Sequence, residues 1–227
     1  MIDIHSHILP YVDDGSKGKE SSIKMLKDLC DIGVTDVFLT PHYRGKYNQE
    51  KGQILEVFNQ FKEDAKDIPI NLYIGREINI DNESIEKFIK GDLLSLNGTK
   101  YVLIEFHYFN YFDIVEAVYM LVNKGYIPIV AHPERYEYLG IEDIEEIKSL
   151  GGLIQINASS LIKKFDRGRY KLAIKLLKED LVDFVASDHH DFRALYLADA
   201  KKVVEKKFGK DLADDLFYNN PMKIIKG

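Results

Sequence analysis

The sequence has one cysteine, no tryptophan and no excess of positive charge. With Cys30 alone, an internal disulfide framework and a zinc site built from several thiolates are both excluded. Lys and Arg total 31 against 37 Asp and Glu, giving a formal net charge of -6 at pH 7. This balance argues against a surface built to bind nucleic acid or anionic lipid.

Long apolar runs are also missing. No run reaches the roughly 18 residues that a membrane-spanning helix needs. Asp3, His5 and His7 lie where a signal peptide would have its charged start and apolar middle. We therefore expect a cytoplasmic protein without membrane insertion. With 45% hydrophobic and 30% charged residues, the chain is expected to form one globular domain over residues 1–227.

Short apolar runs alternate with amphipathic stretches of helical period, which is typical of βα units. The predicted strands are 2–6, 36–40, 71–75, 101–106, 127–131, 153–157 and 183–187. The predicted helices are 19–32, 50–66, 83–90, 112–124, 141–150, 167–180, 192–208 and 211–218. Gly33, Gly125 and Gly151 suit left-handed helix ends. Seven strands with helices between them indicate a (β/α) barrel, although an open parallel sheet gives much the same pattern.

Six of the seven predicted strands run into residues that can bind metal ions. The first ends in His5-Ser6-His7, whose imidazoles lie on the same side of an extended chain. The others lead into His42, into Glu77, into Glu105 and His107, into His132, and into Asp188, His189 and His190. Because parallel strands end at one face, we expect a single cluster there, joined by Asp14. Histidine and carboxylate ligands favour Zn²⁺, Mn²⁺ or Fe²⁺, and their number implies two or three ions.

In this order the motifs resemble the polymerase-and-histidinol-phosphatase (PHP) superfamily. The matching segments are His5-Ser6-His7, Asp13-Asp14-Gly15, Thr40-Pro41-His42, Gly75-Arg76-Glu77-Ile78, Ile104-Glu105-Phe106, Ala131-His132-Pro133-Glu134-Arg135-Tyr136 and Ser187-Asp188-His189-His190. Within the superfamily, the chain is most similar to bacterial protein-tyrosine phosphatases encoded with capsular or extracellular polysaccharide genes. The resemblance implies a distorted (β/α)7 barrel with a metal cluster at the C-terminal ends of its strands, and a metal-dependent phosphatase activity.

The resemblance also implies how the ligands divide among the ions. His5, His7, Glu77 and Asp188 would hold the first ion. Glu77, Glu105 and His132 would hold the second, with Glu77 bridging, and Asp14, His42 and His190 would hold the third. Asp13 stays an alternative to Asp14, and His107 and His189 receive no role. Mn²⁺ is the expected ion, with Fe²⁺ or Zn²⁺ as alternatives.

Arg135 and Arg193 each follow a predicted ligand by three residues. A guanidinium group suits a pair of phosphate oxygens, and the resemblance assigns arginines at these places to phosphate binding. We therefore predict both as catalytic and substrate-binding residues, with Arg44 as a weaker candidate. A cysteine-dependent phosphatase would instead need an arginine six residues after Cys30, where the chain has Asp36.

Aromatic residues are frequent in the loops that follow the ligand strands. They are Tyr43, Tyr47, Tyr108, Phe109, Tyr111, Phe112, Tyr136 and Tyr138. Tyr108 and Tyr136 are predicted to bind the phenyl ring of phosphotyrosine by stacking. The partner implied by the resemblance is the phosphorylated tail of a bacterial tyrosine kinase that controls polysaccharide synthesis.

Three other hypotheses fit the same motifs. The first is a small-molecule phosphatase of the superfamily, such as a histidinol-phosphate phosphatase. The second is a nuclease of the superfamily, which the net charge of -6 disfavours. The third is an inactive metal-binding module that serves only to dock a partner.

Overall fold

Parallel strands and helices alternate along the chain in the computed structural model, which describes residues 1–109 and 112–227. The strands are β1 (Ile2–Ser6), β2 (Asp36–Leu39), β3 (His42–Tyr43), β4 (Asn71–Ile74), β5 (Glu77–Asn79), β6 (Tyr101–Glu105), β7 (Ile127–Ala131), β8 (Leu153–Asn157) and β9 (Phe184–Ala186). The helices are α1 (Lys19–Asp31), α2 (Lys51–Asp64), α3 (Asn82–Lys90), α4 (Ile114–Asn123), α5 (Ile141–Ser149), α6 (Arg167–Lys178), α7 (Leu197–Phe208), α8 (Lys210–Asp214) and α9 (Asn220–Lys226). Tyr111, one of the loop aromatics above, lies outside the described residues.

The strands form two parallel sheets, which confirms the predicted α/β class. One sheet has the order β1-β2-β4, and the other has the order β3-β5-β6-β7-β8-β9. The sheets meet where Ser6, at the end of β1, bridges His189 after β9. They are also joined along the chain, because only residues 40–41 separate β2 from β3 and only residues 75–76 separate β4 from β5.

All seven predicted strands are present, and each boundary lies within one residue of its predicted position. The two short strands β3 and β5 were not predicted. They pair in parallel with His42 opposite Glu77. The unpredicted strands therefore position two of the predicted metal ligands against each other.

Two predicted helices differ from the structure. The one predicted at 192–208 begins only at Leu197, because the preceding residues turn and Arg193 N–H donates to the His190 carbonyl at 3.1 Å. The one predicted at 211–218 continues through the π-helical turn Asp215–Asn219 into α9. Pro221 lies in the first turn of α9, where its missing N–H costs no hydrogen bond within that helix. Within the described ranges, no helix is both long and apolar enough to cross a membrane.

The predicted glycine helix ends are confirmed. Gly33, Gly125 and Gly151 have φ values of 85°, 84° and 95°. Each lies within two residues of the end of its helix, at α1, α4 and α5 respectively. This left-handed geometry is available to glycine without steric cost, so the three residues end their helices and turn the chain towards the next strand.

On one face of the strands, the side chains change from apolar to polar along the strand length. In β6, Leu103 and Glu105 occupy alternate positions and face the same side, as do Leu153 and Gln155 in β8. A buried apolar cluster includes the first part of this face, and its members are Ile2, Ile4, Phe38, Leu96, Leu103, Ile129, Ala131, Phe184, Ala186 and Ile224. Each large member contributes about 1.5–3 kcal/mol through burial. The polar side chains consequently gather at the C-terminal ends of the strands.

Gly15 gives a test of the packing in the loop after β1. A methyl group on Gly15 would overlap the Cβ and carbonyl oxygen of His7, whereas one on Gly52 in α2 would meet nothing within 4 Å. We expect Gly15→Ala to lower the free energy of unfolding by about 1–3 kcal/mol. The control Gly52→Ala should raise it by about 0.5 kcal/mol. Urea denaturation measures both, and equal stabilities of the two variants would contradict this packing.

Candidate metal and phosphate site

Five imidazoles and four carboxylates converge at the C-terminal ends of the strands. They are His5, His7, His42, His132, His190, Asp14, Glu77, Glu105 and Asp188, the set predicted from the sequence. Each has a donor atom within 3.4 Å of another member. All are buried except Asp14, whose side chain is 38% exposed. Far-separated parts of the sequence thus form one cluster.

Among residues 1–109 and 112–227, three groups of donor atoms are compact enough to hold a metal ion. They are His7-Asp14-His42-His190, His5-His7-Glu77 and His42-Glu77-Glu105, and within each group the donor atoms lie no more than 4.8 Å apart. The grouping implied by the family resemblance placed His132, not His42, beside Glu77 and Glu105. In the structure His132 faces Glu77 with 2.8 Å between Nε2 and Oε1. Glu77 belongs to two of the three groups, as a bridging ligand would.

The orientation of the donor atoms fits a bound cation. In the described part of the chain, His42 Nδ1, Glu77 Oε2 and His190 Nε2 are buried and have no hydrogen-bond partner. His42 Nδ1 and Glu77 Oε2 lie 2.7 Å apart, but without the alignment of a hydrogen bond. A buried polar atom left unpaired costs about 1–3 kcal/mol. Imidazole nitrogens and carboxylate oxygens suit Mn²⁺, Fe²⁺ or Zn²⁺, any of which would satisfy these atoms.

Opposite charges control ionisation in the cluster. Burial alone would raise the pKa of Glu77, but the His5 and His42 imidazoles hold it well below its usual range. Burial alone would lower the pKa of His5, but the carboxylates of Glu77 and Asp188 raise it to about 9. A metal ion that binds His5 must therefore displace a proton that the carboxylates stabilise.

Asp13 and Asp14 have different surroundings. Asp13 Oδ2 lies 2.7 Å from His7 Nδ1 and accepts from the backbone N–H of His42 at 2.9 Å. Asp14 Oδ1 faces Nε2 of His42 at 3.4 Å and Nε2 of His190 at 3.6 Å. The Asp14 carboxylate therefore belongs to the donor groups, whereas the Asp13 carboxylate orients the His7 ring.

Sequence reasoning missed two amide side chains on β8, the one predicted strand without a metal-binding residue. Gln155 Oε1 lies 2.8 Å from His5 Nδ1. Asn157 Nδ2 donates to Asp188 Oδ2 at 2.9 Å. Polar residues at alternate positions of a buried strand are the signal that could have revealed them. Their hydrogen bonds fix the directions of His5 and Asp188, and such partners tune a metal site.

His132 and Asp188 share an unusual backbone conformation. Their φ values are 38° and 49°, in the left-handed region that costs a non-glycine residue about 1–2 kcal/mol. Hydrogen bonds hold both in place, from His132 N–H to the Gln155 carbonyl at 2.7 Å and from Asp188 N–H to the His5 carbonyl at 2.9 Å. Strain of this kind is concentrated at functional sites.

Three arginines border the cluster. Arg135 and Arg193 donate from Nη1 to the same atom, Asp188 Oδ2, at 3.2 and 2.6 Å. Arg44 Nη1 lies 3.3 Å from both carboxylate oxygens of Glu105. The predicted phosphate-binding residues are thus next to the metal donors, and the weaker candidate Arg44 lies there too.

A fourth arginine, Arg76, was not predicted to have a role. Its side chain is fully buried, and burial lowers its pKa to about 10. Nη2 donates to the carbonyl of His42 at 2.7 Å, and the guanidinium lies 5.1 Å from the centre of the Tyr43 ring. Arg76 therefore holds β3, and with it the His42 side chain, in position.

Tyr136 is placed differently from its prediction as a substrate contact. It is 3% exposed, and its hydroxyl donates to the Ala131 carbonyl at 3.0 Å and accepts from Phe106 N–H at 3.1 Å. Its ring stacks on that of Tyr108, with 5.9 Å between centroids. Tyr108 is only partly buried and lies 4.3 Å below the guanidinium of Arg135. The Tyr136 ring is too buried to contact a substrate. Its stacking on Tyr108 instead supports the position of that ring.

His107 and His189 lie outside the three donor groups. His107 is exposed, and its carbonyl accepts from the Tyr138 hydroxyl at 3.0 Å. His189 is 5% exposed, and burial lowers its pKa to about 4. Its carbonyl accepts from His7 N–H at 2.9 Å, so His189 contributes its backbone to the junction between the first and last strands.

The fold and the cluster define an α/β protein of parallel strands with a candidate metal site at their C-terminal ends. The chain belongs to the family described as capsular polysaccharide synthesis, CpsB/CapC, whose model matches residues 1–226. It is 37% identical over 238 residues to the tyrosine-protein phosphatase CpsB of Streptococcus pneumoniae, covering 99% of this chain and 98% of that protein. It is 37% identical over 225 residues to the tyrosine-protein phosphatase YwqE of Bacillus subtilis (strain 168), covering 93% of this chain and 87% of that protein.

A solved structure supports the same relationship. The chain superposes with a TM-score of 0.93 and 34% identity, over 100% of its length and 94% of the other chain, on a crystal structure from work on YwqE of Bacillus subtilis and CpsB of Streptococcus pneumoniae. Those two proteins are described there as unique metal-dependent tyrosine phosphatases. The family predicted from the ordered motifs is therefore confirmed.

Asp13 provides a test of the geometry around His7. In Asp13→Asn, an amide replaces the carboxylate that accepts from the His7 ring and from two backbone N–H groups. We expect the affinity for Mn²⁺ to fall about 10- to 100-fold, since the partner that orients a ligand is lost. Titration calorimetry on apo-protein measures the affinity, and Asp199→Asn, which removes an exposed carboxylate paired with Lys202 on α7, is the control. Unchanged affinity in Asp13→Asn would contradict the orienting role.

Proposed function

We propose that this chain is a metal-dependent protein-tyrosine phosphatase that hydrolyses phosphotyrosine. The observation that carries the proposal is the meeting of buried metal-donor groups with two guanidinium groups on Asp188. The guanidinium groups would bind a dianionic phosphoryl group. The donor groups would bind ions that activate a water molecule beside it. The tyrosine phosphatases CpsB and YwqE among its relatives support the same activity.

We also propose a distorted (β/α)7 barrel in a single domain of residues 1–227. When β2 with β3 and β4 with β5 are taken as two bent strands, seven strands result. The Ser6 to His189 bridge brings the first strand beside the last. Both features support closure of the two sheets into a barrel.

The proposed metal centre holds two or three divalent ions. Its ligands are His5, His7, Asp14, His42, Glu77, Glu105, His132, Asp188 and His190. Mn²⁺ is the proposed ion, with Fe²⁺ and Zn²⁺ as alternatives. When bound, such ions lower the pKa of a coordinated water and neutralise charge on the phosphoryl oxygens.

The side chains of the protein position the phosphate ester. Arg135 and Arg193 bind its phosphoryl oxygens, and their shared contact with Asp188 Oδ2 keeps both guanidinium groups directed at the same place. Fixed charges of this kind stabilise the transition state without rearrangement. Asn157 Nδ2 donates to the same oxygen and helps to hold the Asp188 carboxylate in place. A bacterial kinase tail as substrate stays a prediction from the family resemblance, and a cytoplasmic location stays a prediction from the sequence pattern.

The first functional test separates metal chemistry from thiol chemistry. Chelation or His5→Ala should abolish turnover of a phosphotyrosine peptide, because the water-activating ions lose their ligands. Cys30→Ala should keep near-normal turnover, since Cys30 lies on α1 away from the donor groups. Metal content is measured by plasma mass spectrometry on the same samples. Full activity in verified metal-free protein, or a preference for histidinol phosphate over phosphotyrosine peptides, would overturn the assignment.

The second functional test concerns Arg135 and Arg193. Alanine at either position should lower kcat/KM by about 10- to 1,000-fold, or about 1.4–4 kcal/mol, because one contact to the phosphoryl group is lost. Metal content should be kept. Arg169→Ala, which removes a half-exposed arginine on α6 paired with Asp166, is the control. Loss of metal together with activity in the Arg135 and Arg193 variants would show that these arginines act by holding Asp188.

A further inference from the structure

Phe192 is an exposed aromatic residue beside the proposed catalytic centre. It is 60% exposed, in the turn between His190 and Arg193. Its ring centroid lies 5.2 Å from that of His190 and 5.3 Å from the central carbon of the Arg193 guanidinium. A large apolar side chain is thus held at the edge of a strongly charged site with most of its surface open.

Each of the two proposed phosphate-binding arginines lies next to an aromatic ring. Arg193 lies by Phe192, and Arg135 lies over Tyr108. Because both arginines also contact Asp188 Oδ2, a phosphoryl group held by them would leave its ester substituent near these two rings. An aromatic substituent would then have a stacking partner, and a short aliphatic one would not.

The two rings differ in the surface that they leave free. Tyr108 has the guanidinium of Arg135 on one side at 4.3 Å and also stacks on Tyr136 at 5.9 Å. Phe192 contacts His190 and Arg193 and remains 60% exposed. Of the pair, Phe192 is the ring that can accept a further aromatic group without rearrangement.

We infer that Phe192 is the packing surface for the aryl group of the substrate, and therefore a residue that determines selectivity for aryl over alkyl phosphate monoesters. The inference rests on the proposed function and deepens it. Phe192 binds the ring while the arginines and the metal centre act on the phosphate. Its contribution is to binding, so it appears mainly in KM.

Phe165 supplies a matched control. It is 58% exposed and also lies in a loop that follows a strand, here β8. Its ring packs on Tyr196 at 5.9 Å and not on the metal donors or arginines. Phe165→Ala therefore removes a phenylalanine side chain of similar exposure and leaves the proposed aryl surface intact.

The experiment uses the Mn²⁺-loaded full chain and small ligands. Dissociation constants are measured by titration calorimetry for benzylphosphonate, which mimics an aryl phosphate, and for methylphosphonate, which lacks the ring. Phe192→Ala should raise the constant for benzylphosphonate about three- to tenfold relative to that for methylphosphonate. It should raise KM for N-acetyl-phosphotyrosine amide by a similar factor. Phe192→Tyr should restore both values, and Phe165→Ala should match the wild type.

Each other outcome has a definite meaning. If Phe192→Ala leaves the ratio of the two dissociation constants unchanged, or weakens both ligands equally together with loss of Mn²⁺, the inference is overturned. If the wild-type protein binds both phosphonates but does not turn over phosphotyrosine, the proposed function fails, while the ratio still tests the aryl surface.

Discussion

Glu77 is a fully buried carboxylate, and the structure of the site depends on the compensation of its charge. Its oxygens lie 2.7 Å from His42 Nδ1, 2.8 Å from His132 Nε2, 3.3 Å from His5 Nε2 and 3.4 Å from His7 Nε2. Removing such a carboxylate from water without partners costs several kcal/mol. Because the four imidazoles lie on or directly after β1, β3 and β7, the charge on β5 fixes how these strand ends meet. The same need to compensate the negative charge of Glu77 makes the site suitable for divalent cations.

The fold was predictable wherever a strand is long enough to show a pattern. Seven apolar runs bounded by polar residues gave seven strands. The strands β3 and β5, of two and three residues, lie outside any such apolar run, and they exist because the chain bends before them. The second bend passes through Gly75, where a side chain would collide with Leu96. Such a bend depends on a tertiary contact. The helix α9 does so too, because its Ile224 packs in the buried apolar cluster.

The site was predictable as a set of chemical types and less so as a geometry. Histidines and carboxylates after successive strands indicated the cluster, but Asp13 and Asp14 are chemically identical neighbours. Only their distances from His7 and His190 separate an orienting partner from a donor. Tyr136 matched the expected aromatic pattern, yet its hydroxyl bonds to backbone groups and buries the ring. Phe192 fell at the start of the helix predicted at 192–208, so its position in a turn beside His190 and Arg193 is visible only in the structure.

The junction between β1 and the segment after β9 ties the site to the order in which the chain is made. His5 and Asp188 are joined through a backbone hydrogen bond of 2.9 Å although they stand near opposite ends of the sequence. During synthesis, the histidines of β1 leave the ribosome first. They can meet Asp188 only after the last strand has also been synthesised. Contacts of such long sequence separation slow folding. Assembly of the candidate metal site therefore depends on a contact between distant parts of the chain, and strands that form before this contact expose apolar surface and unpaired edges.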